Sequence, residues 1–389
     1  MSKRISIIAL ALSALAFAGC NNAEYKVTPN SIYLTDADGQ VKSKIISLDG
    51  GADITLTARL AQKTDEDVTV PVLFQQSDLD EFNSLNGTEY QMLPDGMLPS
   101  ELTLTIPAGE ISASETLHIN DFEGEGSYAV PVRLGNAVSG NVPTSTGQGK
   151  FLYALAKPLI VSVPVMKGAG QEGVSGIFAA PSDPWGLELD AWTFEAWIKM
   201  NGYDSNNQAF FESGAATPNN IFMRFGDANS PYNYLQVKVL NGQIDTDRDL
   251  EPNVWCHWAM VYDGTTFTIY RNGQVDKSFT PQRPTTPSGK MPIDKATIIV
   301  TGANWFVNEC MMSQARFWKV ARSQSEIQAN MYYAVNANNP NLIAYWPMDE
   351  GEGTGDGAVL HDISGNGHDA TSAGNIIQHW EHNVRFDGK

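Results

Sequence analysis

Alternation of apolar and polar residues governs most of this chain. Ile54, Leu56, Ala58 and Leu60 alternate with Thr55, Thr57 and Arg59. Val68, Val70, Val72 and Phe74 alternate with Thr69, Pro71 and Leu73, and the pattern recurs at Leu102, Leu104 and Ile106 and at Tyr128, Val130, Val132 and Leu134. A period of two, rich in Val, Ile and Thr, puts successive side chains on opposite faces of half-buried strands. Pro71 and Pro131 have no N–H to give a ladder, so their strands are expected at sheet edges or bulges. Asp49-Gly50-Gly51, Asn86-Gly87, Asp95-Gly96 and Ala108-Gly109 punctuate the runs as turns. Ser77 to Leu85 suits a short helix. The pattern predicts an immunoglobulin-like β-sandwich over residues 25–156.

The texture changes near Lys157-Pro158. Residues 157–169 read as a linker that pairs briefly as a strand. From residue 170 to 389 the chain is rich in aromatics, and all nine Trp lie between Trp185 and Trp380. Trp192, Phe194, Ala196 and Ile198 alternate with Thr193, Glu195 and Trp197; Leu235, Val237 and Val239 alternate with Tyr234, Gln236 and Lys238. Trp255–Tyr262, Phe267–Tyr270 and Met311–Val320 are further strands, with Asn272-Gly273 as a type I′ hairpin signal. Ser323-Gln324-Ser325-Glu326 is a capping box, and Ile327, Met331 and Ala334 share the helix face that follows it. The fold class is all-β: a sandwich, then a larger sandwich with one short packed helix.

Composition narrows the partners. Only 18% of residues are charged, the formal net charge is -19, and no Lys/Arg cluster follows residue 4. Nucleic acid and anionic headgroups are therefore poor ligands. Besides Cys20 the cysteines are Cys256 and Cys310, with no C-x-x-C and no zinc spacing. Those two are either a disulfide or small buried apolar residues.

The N-terminus reads as an export signal. Lys3 and Arg4 precede an uncharged run from Ile5 to Phe17, too short to span a bilayer comfortably. Leu15-Ala16-Phe17-Ala18-Gly19-Cys20 resembles the bacterial lipobox. The resemblance implies a signal peptide at 1–19, lipidation of Cys20, and a tether at 20–24. Asn21 and Asn22, rather than Asp, imply an outer-membrane home under the envelope sorting rule, with the protein exposed at the cell surface.

Two further resemblances concern the folded part. Phe194-Glu195-Ala196-Trp197-Ile198, Trp255-Cys256-His257-Trp258, Tyr270-Arg271-Asn272-Gly273, Ala315-Arg316-Phe317-Trp318, Tyr345-Trp346-Pro347-Met348-Asp349 and Asp362-Ile363-Ser364-Gly365-Asn366-Gly367-His368 carry the first. They resemble the concanavalin-like, laminin-G-type jelly roll over residues 170–389. Asn86-Gly87-Thr88-Glu89-Tyr90, Leu104-Thr105-Ile106-Pro107-Ala108-Gly109 and Val130-Pro131-Val132-Arg133-Leu134 resemble an uncharacterised β-sandwich family at the N-terminus of gut bacterial surface lipoproteins. Those lipoproteins belong to glycan-utilisation systems, and some relatives act on host N-glycans. The resemblance implies a spacer with no chemistry of its own.

Catalysis lacks its usual residues. Jelly-roll glycanases often carry E-x-D-x-x-E, whereas Glu188-Leu189-Asp190 is followed by Thr193 at the last acid position. His257, among Trp residues, is expected to be a hydrogen-bonded structural histidine. Asp349, Glu350, Asp362 and Asn366 supply hard oxygen donors in a Gly-rich tail, and the laminin-G resemblance implies Ca2+ as their candidate cofactor, against a plain role in turns. Sugars stack on flat aromatics while amides bond their hydroxyls. Trp255, Trp318 and Trp346 lie on regular strands and are expected in the core. Loop-like sequence holds Trp185, Tyr232 and Tyr234, and Asn304, Trp305 and Asn308, which form the candidate glycan site. The reading is a surface lipoprotein that captures glycan for neighbouring enzymes and transporters. A glycan hydrolase with an unrecognised acid pair and a protein-binding adhesin or assembly module are the alternatives.

Overall fold

The computed structural model describes residues 30–388 apart from 40–41, 87, 123–126, 169–174, 181–182, 215–217 and 301–305. The signal peptide, Cys20 and the tether lie outside the described residues, as do Asn304 and Trp305. The chain divides into two compact units. One holds the described residues up to Ile46 and Gly51–Leu155; the other holds Ser47–Gly50 and Ala156–Lys389.

In the first unit, β1 (Ile32–Leu34), β2 (Ser43–Ser47), β3 (Gly51–Leu60), β4 (Val68–Leu73), α1 (Gln76–Asn86), β5 (Thr103–Ile106), β6 (Ser112–Asn120), β7 (Tyr128–Leu134) and β8 (Lys150–Ala156) follow in order. They form a three-stranded sheet, β1-β3-β6, and a five-stranded sheet, β2-β8-β7-β4-β5. The alternation of β3 works as expected: Ala52, Ile54, Leu56, Ala58 and Leu60 are buried. Neither proline lies on an edge strand, which corrects the sequence reading. β7 pairs β4 only through Arg133 and Leu134, so at Pro131 it has β8 on one side alone. Pro71 sits where β4 changes partner, from β5 at residues 68–71 to β7 at Val72 and Leu73. Each missing N–H falls where the ladder is interrupted.

The second unit contains β9 (Val161–Met166), β10 (Gly176–Ala179), β11 (Leu187–Leu189), β12 (Trp192–Met200), β13 (Gln208–Gly214), β14 (Asn220–Phe225), β15 (Leu235–Val239) and β16 (Gly242–Asp245). It continues with β17 (Cys256–Tyr262), β18 (Phe267–Arg271), β19 (Gln274–Phe279), β20 (Met291–Ile293), β21 (Ala296–Val300) and β22 (Cys310–Trp318). After α2 (Gln324–Asn330) come β23 (Leu342–Trp346), β24 (Val359–Leu360), β25 (Ala370–Ala373) and β26 (Ile377–Val384). A front sheet runs β16-β15-β14-β13-β21-β10-β25-β24, and a back sheet runs β19-β18-β17-β12-β22-β9-β26 with β23 beside β22. Phe194 of the back sheet stacks on Phe211 of the front sheet at 3.8 Å, and Phe317 meets Phe211 edge-on. Such pairs lock two sheets in register beyond simple burial. The stretch 157–169 is not a free linker, since β9 within it pairs β22 and β26.

α2 begins as its capping box requires. Ser323 Oγ accepts from the Glu326 N–H, and Glu326 Oε2 accepts from the Ser323 N–H at 2.7 Å. Ile327 is buried beside Ala259 and Val261. The helix stops at Asn330, short of the expected Ala334. The Met331 carbonyl instead accepts the Trp197 indole N–H at 2.6 Å. α2 and its flanks thereby roof the outer face of the back sheet. This explains why every residue of β22 is buried, Ser313, Gln314 and Arg316 included.

Candidate functional site

Among the described residues, the loop aromatics and amides expected to bind sugar lie at two ends of the front sheet. β21 pairs β13 from Ser213↔Ala296 to Ala209↔Val300, which defines two ends of the front sheet. Trp185 donates its backbone N–H to the Asp294 carbonyl, at the Ala296 end. Tyr232, Tyr234 and Asn308 belong to loops at the other end, where Asn207 bonds Gly226 and Asn308 bonds Gln208. Each also has a partner already. The Trp185 ring stacks on His368 at 3.9 Å. Tyr234 is 2% exposed, with the Arg248 guanidinium 4.1 Å from its ring centre. Tyr232 packs its Cβ against Gly226. Asn308 accepts from the Asp204 N–H and Gln208 Nε2, and donates to Asp204 Oδ2. These groups anchor loops.

Two of the candidate Ca2+ ligands, Asp362 and Asn366, hold turns. Asp362 accepts from the N–H groups of Tyr345, Ser364 and His368. Asn366 turns its Nδ2 to the Leu342 and Ile343 carbonyls. Glu350 accepts the His361 N–H, and burial pushes its carboxyl, and that of Asp349, upward. Among the described residues no group of three or more His, Cys, Asp or Glu is placed to hold a metal. Cys256 and Cys310 are free thiols. They pair Ile198 and Met200 from opposite sides of β12, so their strands are two steps apart, about 10 Å, beyond disulfide reach.

A charged cluster lies beneath the roof. The Glu195 carboxylate stands 3.6 Å from Arg316, 3.8 Å from Arg322 and 3.8 Å from His257, and it accepts the Trp318 indole N–H at 3.0 Å. Burial alone would raise its carboxyl, but the Arg322 and Arg316 charges and the Trp318 hydrogen bond hold it below the usual range. His257 is buried, and among the described residues its ring nitrogens have no hydrogen-bond partner, contrary to expectation. Burial, outweighing Glu195, pushes its pKa down to about 4. Closed to water, this cluster serves the fold.

The outward face of the front sheet is different. Ile177, Ile298, Phe211, Met223 and Val237 form a fully buried row across β10, β21, β13, β14 and β15. Period-two geometry turns the adjacent row outward. Read from β25 to β16 it is Thr371, Phe178, Thr297, Glu212, Phe222, Lys238 and Gln243. Phe178 and Phe222 are half-buried. The Phe178 ring lies over Gly176, where a Cβ would come within 3.0 Å of it. Glu212 and Lys238, on either side of Phe222, make no ion pair or hydrogen bond among the described residues. Arg224 closes one corner, 5.6 Å from the Phe222 ring and held by Gln236, Asn207 and Asp227. Two flat apolar faces with Glu212 between them and Lys238 beyond Phe222 can hold a sugar by stacking and hydrogen bonding. Sequence reading missed this row. The only local signal was Lys238 on the polar side of the 235–239 alternation.

Fold and face together define a two-unit β-sandwich protein whose second unit is a laminin-G-type, concanavalin A-like jelly roll. Residues 173–328 match the family model of the concanavalin A-like lectin/glucanases superfamily, and residues 26–140 match a model described as a "-like, N-terminal domain". No curated protein matches the chain. Among solved structures the chain is similar to a "putative carbohydrate binding protein" of Bacteroides ovatus, at 23% identity over 90% of this chain and 97% of that one, with a TM-score of 0.50. EndoBT-3987 of Bacteroides thetaiotamicron, solved with Man5GlcNAc product, is 20% identical over 32% of this chain and 30% of its own, with a TM-score of 0.27. A SAP-like pentraxin from Limulus polyphemus is 13% identical over 47% of this chain and 84% of its own, with a TM-score of 0.32.

Proposed function

We propose that this protein binds an oligosaccharide, without cleaving it, on the outward face of the front sheet. The row Phe178–Thr297–Glu212–Phe222–Lys238 carries the reading. Phe178 and Phe222 are three strand steps apart, about 14 Å. A ligand that touches both is longer than one sugar. The row contains a single carboxylate, whereas hydrolysis by the usual route needs two. The fold shared with the Bacteroides ovatus protein, named for carbohydrate binding, fits this role. The Cys20 signal supports a lipid-anchored protein at the outer surface, passing glycan to neighbouring enzymes and transporters. Host N-glycan is the candidate ligand class.

Calorimetry on a panel of oligosaccharides tests the site. Phe178→Ala and Phe222→Ala should each weaken binding roughly tenfold, the size of one lost stacking contact. Full-strength binding in both variants places the ligand elsewhere. New reducing ends in the wild-type sample would mean an enzyme.

A further inference from the structure

Glu212 on β13 and Lys238 on β15 pair with Phe222 of β14 from opposite sides. Two strand steps separate them, about 10 Å. Both are half-buried, and neither makes an ion pair or hydrogen bond among the described residues. The other charges at this corner are committed. Arg224 pairs Asp227 at 2.7 Å and bonds Gln236 and Asn207. Asp227 lies in the field of Lys238, but its carboxylate is taken up by Arg224 and, at 3.1 Å, by the Gln236 amide. A half-buried charge without a partner carries a desolvation cost that a counter-charge on a ligand offsets.

We infer that the sugar held on Phe222 is acidic: its carboxylate faces Lys238, and hydroxyls on the opposite edge of the ring donate to Glu212. The inference rests on the glycan reading of this face and names the chemistry of its ligand. With a hydrogen bond of about 2.8 Å at each edge, the span between the two charges leaves roughly the width of one pyranose. Hydroxyls alone satisfy Glu212, since an ionised carboxylate only accepts. Lys238 gains more from an ionised acceptor, because charged hydrogen bonds are about twice as strong as neutral ones. An amino sugar fits less well. Two cations, Lys238 and the Arg224 guanidinium 5.6 Å from the ring, border Phe222 against the one uncommitted anion. The net charge of -19 opposes anions only at long range, and physiological salt screens it beyond about 8 Å.

Calorimetry on the whole protein at physiological salt compares two matched pairs: trigalacturonate with its methyl ester, and sialyllactose with lactose. The first acid is a hexuronic carboxylate and the second a nonulosonic one, so the pair that responds identifies the source. At least one acid should bind about tenfold more tightly than its neutral counterpart, the scale of one charge-assisted hydrogen bond. Lys238→Gln should bring the two members of that pair to equal affinity, Lys238→Arg should keep the preference, and Phe222→Ala should weaken both. Equal binding within both pairs, no saturable binding of either acid, or a preference that survives Lys238→Gln overturns the inference. Tighter binding of triglucosamine than of either acid also overturns it, with Glu212 as the selecting charge. Neutral sugars that still need Phe178 and Phe222 would then leave the glycan face standing. Acid binding indifferent to Phe222→Ala would instead move the ligand off this face and overturn both readings.

Discussion

At Glu195 one carboxylate meets two guanidinium groups in a space closed to water, and their balance tolerates no further positive charge. His257 sits against the same carboxylate and stays neutral because burial pushes its pKa down to about 4, from an ordinary value of 6.5. Folding therefore competes with protonation. Above pH 6.5 the imidazole is neutral in both states and the fold loses nothing. Between pH 6.5 and 4 only the unfolded chain takes up the proton, so stability falls as pH falls. Glu195, held below its ordinary range, adds a further loss below about pH 4.5 in the same direction. Tryptophan fluorescence isolates this unit, since all nine Trp lie between residues 185 and 380. Denaturant midpoints should show the wild type losing roughly 2–3 kcal/mol from pH 7 to pH 4.5. His257→Gln should start less stable and lose much less with acid. Equal acid sensitivity in the two proteins would assign the effect to other groups. The sequence marked His257 as structural but not the cluster around Glu195. The alternation put Glu195 and Trp197 on the polar side of β12, and only the roof over that face turns it into a second interior.

Strands with clean alternation were legible almost to the residue, as β3 and β15 show, because period two depends on local side-chain direction alone. The capping box was legible for the same reason. Elements whose neighbours are distant in sequence were not. β9 read as part of a linker because Val161, Val163 and Val165 alternate over too few residues, and its partners β22 and β26 lie far along the chain. Its placement has a direct consequence. A chain beginning at Lys157 keeps β9 and should unfold in one cooperative fluorescence transition. A chain beginning at residue 170, the expected domain start, removes the strand between β22 and β26. It also exposes the surfaces buried by Val161, Val163, Val165 and Met166. Each such side chain contributes about 1.5–3 kcal/mol by burial, so the sum rivals the whole stability of a domain. The shorter chain should be insoluble or lack a cooperative transition. If both chains melt alike, β9 is dispensable and the domain starts near residue 170 after all.

At the scale of the molecule, the two-sandwich plan was legible because it follows from strand pattern and motif, whereas the face proposed for glycan was not. Phe178, Glu212, Phe222 and Lys238 lie on four strands and become a row only through registers that no local pattern encodes. The loop residues favoured from sequence were distinguished by composition, and composition cannot tell a ligand platform from a side chain that anchors its own loop. The proposed roles are separable: a lipid on Cys20 would hold the protein at the membrane, and the sheet face of the second unit would take glycan. Cys20→Ala separates these roles. A single acyl chain gives only marginal membrane binding and stable attachment takes more, so loss of the lipidation site should move the protein out of the membrane fraction. Purified wild-type and Cys20→Ala proteins should bind the same oligosaccharide equally in calorimetry. Cells carrying Cys20→Ala should lose palmitate label on this protein and capture less fluorescent oligosaccharide at their surface. Palmitate label that persists in Cys20→Ala would show the lipid to be elsewhere. Capture that persists with the label gone would show that the protein reaches the surface by another attachment.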